Sequence, residues 1–390
     1  MFIMLKDNPI LYFNFDDMIV EIINNDLMPY GLKDRIRPIT TSTPVETSTP
    51  VEMAKNMAHN IEEIKEWMSN RVLSLSRDNA KQIYNMFNIS QSNDKTTRAN
   101  ICLLCRGVSI TDSYWIKLET DDKKWADVNI RQNHFKEIVD VALNGENPSI
   151  TTNPICPELT TKGLFKKAWV RDTETKELYL LKSDKHSENI NTRCEVLASK
   201  VLDCFTNIPH VQYSGRIRTT AIRKAGGASV SKTYVDKCKN FVGEDYSFVE
   251  AREVMGYCKL HNINFKEWAV KTFGSKFANI AIIDYILINT DRHDMNYGFI
   301  MDNNTGLLVD VAPLFDFNLA LIADLTGRKA TDTLSQMFNT NETIEDIARQ
   351  MIPYSNIQIN YEKLQQTKRH FKDYPQVYEN ILVRIKNCLG

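Results

Sequence analysis

Residues Ile288–Ile300 read INTDRHDMNYGFI. Asp291, Arg292, His293, Asp294 and Asn296 crowd into the positions just after the apolar segment ANIAIIDYILI, Ala278–Ile288. A helix that is apolar on nearly every side belongs inside a core, and the pattern predicts one over Lys276–Ile288. A loop leaving such a buried rod is held at its root. That suits side chains that must be placed accurately.

Asp291 and Asn296 are five residues apart. The catalytic loop of protein kinases, H-R-D-x-x-x-x-N, has the same interval. There the acid orients an acceptor hydroxyl, and the amide oxygen reaches a Mg²⁺ that bridges phosphates. A second metal-binding carboxylate is then expected after a strand. The segment LLVDVAPLFDFN, Leu307–Asn318, supplies Asp316-Phe317-Asn318, placed like the kinase Asp-Phe-Gly. Asn in place of Gly also tolerates unusual backbone angles. Asp310 is a rival carboxylate on the same strand; Asp316 is preferred. Hard oxygen donors such as Asp316 and the Asn296 side chain suit Mg²⁺.

Upstream, ELYLLKSD (Glu177–Asp184) alternates as a strand does and ends on Lys182, where a kinase keeps the lysine that meets the α- and β-phosphates. Glu195, on the next predicted helix, is its expected ion-pair partner. That helix, Ser187–Phe205, carries Cys194, Leu197, Ala198, Val201 and Phe205 on one face, with Ser187 as its N-cap. Before the strand, TTKGLFKKAW (Thr160–Trp169) is glycine-poor but offers Thr160, Thr161, Lys162, Gly163 and Lys167 to phosphate oxygens. Taken singly, each residue has a plain structural reading: Lys182 as a solvated strand end, Glu195 as a surface helix charge, Phe317 as core. The order and spacing of the whole set carry the weight. Arg292 and His293 are read as bracing the loop by hydrogen bonds.

The 390 residues suffice for two or three domains. Lys+Arg 48 against Asp+Glu 49 leaves a net charge of -1, which gives no global attraction to nucleic acid or anionic lipid. The basic run Arg216–Lys239 is read as a solvated face of strands, not as a DNA-binding surface. No secretory signal or membrane-spanning stretch is legible, so a cytoplasmic protein is expected. The eight cysteines are scattered, and reduced thiols fit this better than a disulfide framework. Cys102 and Cys105 form a lone CxxC, read as two thiols packed in a helix.

The organisation predicted from these patterns is α+β: a bilobal protein-kinase-like fold, with a small strand-rich lobe and a larger helical lobe, preceded by a mixed N-terminal module. Its parts are a strand-like segment at 1–38, a low-complexity linker at 39–54 around TSTPVETSTPVE, and a mainly helical module at 55–148. The N-lobe follows at 155–235 and the C-lobe at 236–390. A β-hairpin turning at Asp172–Lys176 and a turn at Gly226-Gly227 are expected within the N-lobe.

These residues resemble the HipA-like serine/threonine kinases. NTDRHDMNYGF is similar to their catalytic loop, N-x-D-R-H-x-x-N, and APLFDF to their metal-binding A-P-L-Y-D segment. GLFKK (Gly163–Lys167) resembles their loop of Gly, three residues, then Lys. LYLLK and CEVLASKV resemble the lysine strand and the glutamate helix. The resemblance covers Leu159 to the C-terminus and leaves out residues 1–147. It implies a kinase using ATP and Mg²⁺ and transferring phosphate to a Ser or Thr of a protein substrate. It also implies a small antitoxin or regulatory protein partner, and self-phosphorylation of the glycine loop with Thr160 or Thr161 as acceptor. No direct nucleic-acid contact and no membrane are expected. Two alternatives stay open. DRHDMN also resembles the phosphoinositide-kinase loop, hence a lipid or small-molecule kinase. Asn318 and the glycine-poor loop also fit a catalytically inactive nucleotide-binding scaffold.

Overall fold

The computed structural model describes residues 1–37, 49–135, 137–146, 154–184, 189–224, 227–325, 333–338 and 340–389. The chain forms two compact units. The first takes Met1–Arg171, Val242–Val249 and Met301–Leu308; the second takes Asp172–Phe241, Glu250–Ile300 and Val309–Gly390.

In the first unit, β1 (Phe2–Leu5), β2 (Asn8–Asn14) and β3 (Ile19–Ile22) form an antiparallel meander. Helices α1 (Pro50–Arg71), α2 (Ala80–Met86) and α3 (Lys95–Leu104) follow, then β4 (Tyr114–Lys117). Strand β4 adds antiparallel to β1, with Phe2 opposite Lys117 and Leu5 opposite Tyr114, so the sheet order is β3-β2-β1-β4. The predicted segment 1–38 and the predicted module 55–148 therefore share one sheet. Helix α1 begins inside the predicted linker. Thr49 accepts the Glu52 N–H, Glu52 accepts the Thr49 N–H, and Pro50 occupies the first turn. A proline that breaks a helix interior is well suited to starting one. The rest of the low-complexity repeat lies outside the described residues. Cys102 and Cys105 are buried as free thiols at the end of α3. Short helices α4 (Trp125–Val128) and α5 (Val139–Asn144) lead to a 3₁₀ turn at Pro157–Thr160 and to β5 (Lys166–Arg171). The unit thus runs on past the predicted break at 148–155.

The second unit opens on the expected turn, where the Lys176 N–H donates to the Asp172 carbonyl at 3.1 Å. Then come β6 (Leu178–Ser183), α6 (Ile190–Leu202), β7 (Tyr213–Lys224) and β8 (Gly227–Lys239). Strand β8 is central, antiparallel to β6 and to β7, with Lys182 opposite Asp236 and Tyr213 opposite Cys238. Helix α6 packs on β7 and β8. Its predicted cap Ser187 and the predicted turn residue Gly226 lie outside the described residues; Gly227 opens β8. The chain then returns to the first unit for most of β9 (Tyr246–Glu250), and the second unit resumes with α7 (Ala251–Leu260), α8 (Phe265–Phe273) and α9 (Ser275–Leu287).

Helix α9 is the predicted buried rod. Every residue from Phe277 to Leu287 is buried, and α8, α11 (Ile344–Met351) and α13 (Pro375–Leu389) pack around it. It stops at Ile288, whose φ of 43° is left-handed. A β-branched residue in that region is strained. Here the strain marks the turn from rod to loop. Strands β10 (Gly298–Asp302) and β11 (Leu308–Val311), then α10 (Ile322–Leu325) and α12 (Tyr361–Thr367), complete the order. Among the described residues no helix is long and apolar enough to cross a membrane.

Candidate active site

Lys182 ends the alternating part of β6 and is 5% exposed. Its ammonium donates to Glu195 Oε1 at 2.7 Å and to Asp316 Oδ1 at 2.8 Å, and lies 5.2 Å from the centre of the Tyr213 ring. Burial alone would lower the affinity of this amine for its proton. Asp316 and Glu195, with Tyr213 and Asp236 behind them, outweigh burial and hold the ammonium well above the usual lysine range. The structure thus brings together Lys182 on β6, Glu195 on α6 and Asp316 after β11.

Asp184 sets the geometry of the pair. Its two carboxylate oxygens accept the N–H groups of Asn191 and Thr192, each at 2.8 Å. These are donors of the first turn of α6, which no helical carbonyl serves. The end of β6 is therefore fastened to the start of α6, which fixes how Glu195 approaches Lys182.

Asp316 has a φ of 58°. Its N–H donates to the Tyr213 hydroxyl at 3.2 Å, and the next N–H, of Phe317, donates to Glu195 Oε1 at 3.3 Å. These bonds hold a non-glycine residue in the left-handed region. Asn318 is buried. Its carbonyl accepts from Asn191 Nδ2 at 3.0 Å, and its own side-chain oxygen has no hydrogen-bond partner among the described residues. Asp310, the rival carboxylate, sits in an exposed ion pair with Lys276 at 2.8 Å.

The Asp291 loop is tied from inside. Arg292 is 1% exposed. Its Nε donates to Asp284 Oδ2 at 3.0 Å, and its Nη1 donates to the carbonyls of Asn296 and, at 2.7 Å, Phe315. One guanidinium thereby joins the rod, the loop and the Asp316 segment, while its plane lies 4.8 Å from the centre of the Phe317 ring. His293 Nδ1 accepts the Met295 N–H at 3.2 Å, so this ring serves the loop backbone. Asn296 Nδ2 donates to the Asp291 carbonyl at 2.8 Å and to Asp291 Oδ2 at 3.4 Å. Burial pushes the Asp291 carboxyl above its ordinary value, and the neighbouring Asp316 charge pushes the same way.

The loop Thr160–Lys167 belongs to the first unit, and there the N-terminal module grips it. The N–H groups of Leu73 and Asp78 donate to the carbonyls of Leu159 and Leu164, at 2.7 and 3.1 Å. The buried Arg77 guanidinium donates to the carbonyls of Thr161, at 3.4 Å, and Lys167. Gly163 has a φ of 98°, a conformation that favours glycine, and a Cβ there would make the Lys167 ammonium move aside. Thr160 is 7% exposed, and its hydroxyl donates to the Val108 carbonyl at 2.7 Å. The Thr161 hydroxyl donates to the Pro157 carbonyl at 2.7 Å and accepts from Trp169 Nε1 at 2.9 Å. Both hydroxyls are committed to structure in this conformation, which argues against either as a ready phosphate acceptor.

Sequence reasoning missed Asp184, Asp236, Tyr213 and Arg77. Asp236 is fully buried and was visible only as one acid in a basic run. Of that run, Lys239 pairs with Glu177, and Lys237 lies 3.7 Å from the centre of the Tyr179 ring. The side chains at 219–233 lie outside the described residues.

No family model matches the sequence, and no curated protein matches it. Among solved structures, the chain superposes on HipA of Shewanella oneidensis MR-1, solved as a toxin–antitoxin complex with HipB and its operator DNA. The TM-score is 0.51 and the identity 12%, over 100% of this chain and 97% of that one. The fold is that of HipA. The HipA likeness spans the N-terminal module as well, which the sequence resemblance had left out. At such low identity, strand pairing and core packing preserve a fold after its motifs have diverged. A second structure, the proinflammatory kinase CtkA of Helicobacter pylori, aligns with a TM-score of 0.38 and 14% identity, over 58% of this chain and 90% of that one.

Proposed function

We propose that the chain is a kinase transferring the terminal phosphoryl group of ATP to a Ser or Thr hydroxyl of a protein. The observation that carries this reading is the trio Lys182–Glu195–Asp316, at 2.7 and 2.8 Å, built on a buried lysine and a buried glutamate in the same unit as Asp291 and Asn296. Lys182 would hold the phosphates, steadied by Glu195. Asp291 would accept the hydrogen bond of the attacking hydroxyl and take its proton as the O–P bond forms. Its raised affinity for a proton suits that task. Catalysis would rest on positioning and charge neutralisation.

The residues fit Mg²⁺. Asp291 and Asp316 are close enough to raise one another's energy as anions, and the Asn296 amide turns its NH₂ to Asp291, which leaves its oxygen for a cation. Among the described residues no group of three or more His, Cys, Asp or Glu side chains is arranged to hold a metal ion by itself. Magnesium needs no such cage, because phosphate and water oxygens complete its shell. When bound, it would neutralise the phosphate charge, held by Asp316 and Asn296. Gly163 and Lys167 are proposed as the phosphate loop by their place in the sequence. HipA of Shewanella was solved with a protein antitoxin. We extend that to this chain as a proposed regulatory protein partner, and we propose a cytoplasmic location.

The decisive experiment incubates the purified chain with Mg²⁺ and γ-labelled ATP beside Asp291→Ala, with intact-mass analysis and peptide mapping. Label on the wild type alone supports the kinase. Equal label on both proteins removes Asp291 from the mechanism. Neither label nor ATP binding refutes the reading, whereas ATP binding without transfer to any protein or lipid acceptor favours a nucleotide-binding scaffold.

A further inference from the structure

Around the single ammonium of Lys182 the second unit gathers three carboxyl groups: Glu195 and Asp236, both buried, and the half-buried Asp316. Two are accounted for, since Glu195 Oε1 and Asp316 Oδ1 accept from Lys182. Three oxygens are not. Asp236 Oδ1, Asp236 Oδ2 and Glu195 Oε2 are buried with no hydrogen-bond partner among the described residues. Residues facing one another in an antiparallel pair project to the same side of the sheet. Asp236 faces Lys182 across β6–β8, and α6, the helix bearing Glu195, packs on β8. The two carboxyl groups are neighbours, close enough for side-chain hydrogen bonding and for the Glu195 charge to act on Asp236.

Two adjacent buried carboxylates repel and have no donor to share; one proton between them removes both faults. It cancels one charge and turns two lone acceptors into a donor and an acceptor. A bound metal suits the place less well. The Lys182 ammonium already supplies the positive charge there, bonded to Glu195 Oε1 and Asp316 Oδ1. The charged and titratable groups facing Asp236 are Lys182 on β6, Glu195 on α6, Asp316 after β11, and Tyr234 and Cys238 on its own strand. Burial first, then the Glu195 charge, drives the Asp236 carboxyl well above its ordinary value against the opposing pull of Lys182.

We propose that Asp236 is a positioning residue of the phosphotransfer site: a neutral carboxylic acid whose O–H donates to Glu195 Oε2 and so turns Glu195 Oε1 toward Lys182. What the positioned pair does rests on the kinase reading; the proton's place does not.

The test uses the full chain as wild type, Asp236→Asn and Asp236→Ala. Asparagine keeps a neutral donor at the same point; alanine removes it and leaves Glu195 Oε2 unpaired. Asp236→Asn is expected to hold Mg-ATP affinity and kcat within about twofold of wild type, and Asp236→Ala to lose at least about tenfold in kcat. Infrared spectra at neutral pH should show a protonated-carboxyl stretch in the wild type that is absent from Asp236→Asn. The proposal is overturned if Asp236→Asn is as impaired as Asp236→Ala, or if no such band is lost. Should Asp236→Ala not fold, Asp236→Asn and the infrared band decide alone. A wild type that neither binds nor transfers phosphate refutes the kinase reading, while the band and the melting temperatures still decide where the proton sits.

Discussion

The guanidinium of Arg292 and the carboxylate of Asp284 meet inside the core, Nε 3.0 Å from Oδ2, with side chains only 1% and 6% exposed. The pair joins the last turns of α9 to the loop that carries Asp291. Burial raises the Asp284 carboxyl while Arg292 opposes it, so removing the cation strands a buried acid. Arg292→Ala is expected to cost about 3–5 kcal/mol in chemical denaturation. Arg292→Lys should rescue little, because a compact ammonium lacks the planar fork that reaches Asp284 from Nε and two carbonyls from Nη1. Near-normal stability in either variant would show that the loop is held by other means.

Asp316 and Lys182 are separable by function. Asp316→Ala should lower phosphotransfer by at least roughly a hundredfold with the fold intact by circular dichroism. Lys182→Ala should also lower turnover, and it leaves Glu195 buried without its cation, so its melting temperature should fall. Normal turnover in Asp316→Ala would remove that carboxylate from the site; in Lys182→Ala it would move the phosphate clamp elsewhere.

Stability should depend on pH through Asp236. Its carboxyl is raised well above 3.8 in the folded chain. As pH rises from that value the unfolded chain releases this proton first, so the folded state binds more protons and loses stability. The contribution is fully present below 3.8 and is lost progressively as pH climbs toward the folded value. Asp236→Asn has no such proton. The wild type should therefore lose stability relative to Asp236→Asn as pH increases, measured by denaturant midpoints from mildly acidic to alkaline buffers. A constant difference would contradict the shift.

In the first unit, Arg77 is buried beside Glu158, and burial pulls it down to about 10. Glu158 Oε1 accepts the Trp169 N–H at 2.7 Å. Arg77→Ala should destabilise the chain by about 1–3 kcal/mol, since it leaves the Thr161 and Lys167 carbonyls without their guanidinium donor. It should also speed amide hydrogen exchange across residues 159–167. Unchanged exchange there would mean that the backbone bonds from Leu73 and Asp78 suffice to hold the loop.

Much of the site was legible because its signals are local. The apolar run of α9, the five-residue interval from Asp291 to Asn296 and the alternation leading to Lys182 are periodicities and spacings within one segment. Asp236 was not legible. An acid in a basic strand reads as a surface counter-charge until the register of β8 against β6 sets it opposite Lys182. Asp184 stood only as the last residue of the strand segment ELYLLKSD until α6 offered it two unpaired N–H groups.

The sequence by itself determined which segments become the rod, the loop and the lysine strand, because helix and strand periods are written along the chain. It also determined where α1 starts, through Thr49, Pro50 and Glu52. Only the tertiary structure decided that β1 pairs with β4, more than a hundred residues away, that Arg77 grips the Gly163 loop, and that three acids surround one lysine. Those outcomes depend on strand register and on which charges are buried together, and both are settled by packing between distant segments.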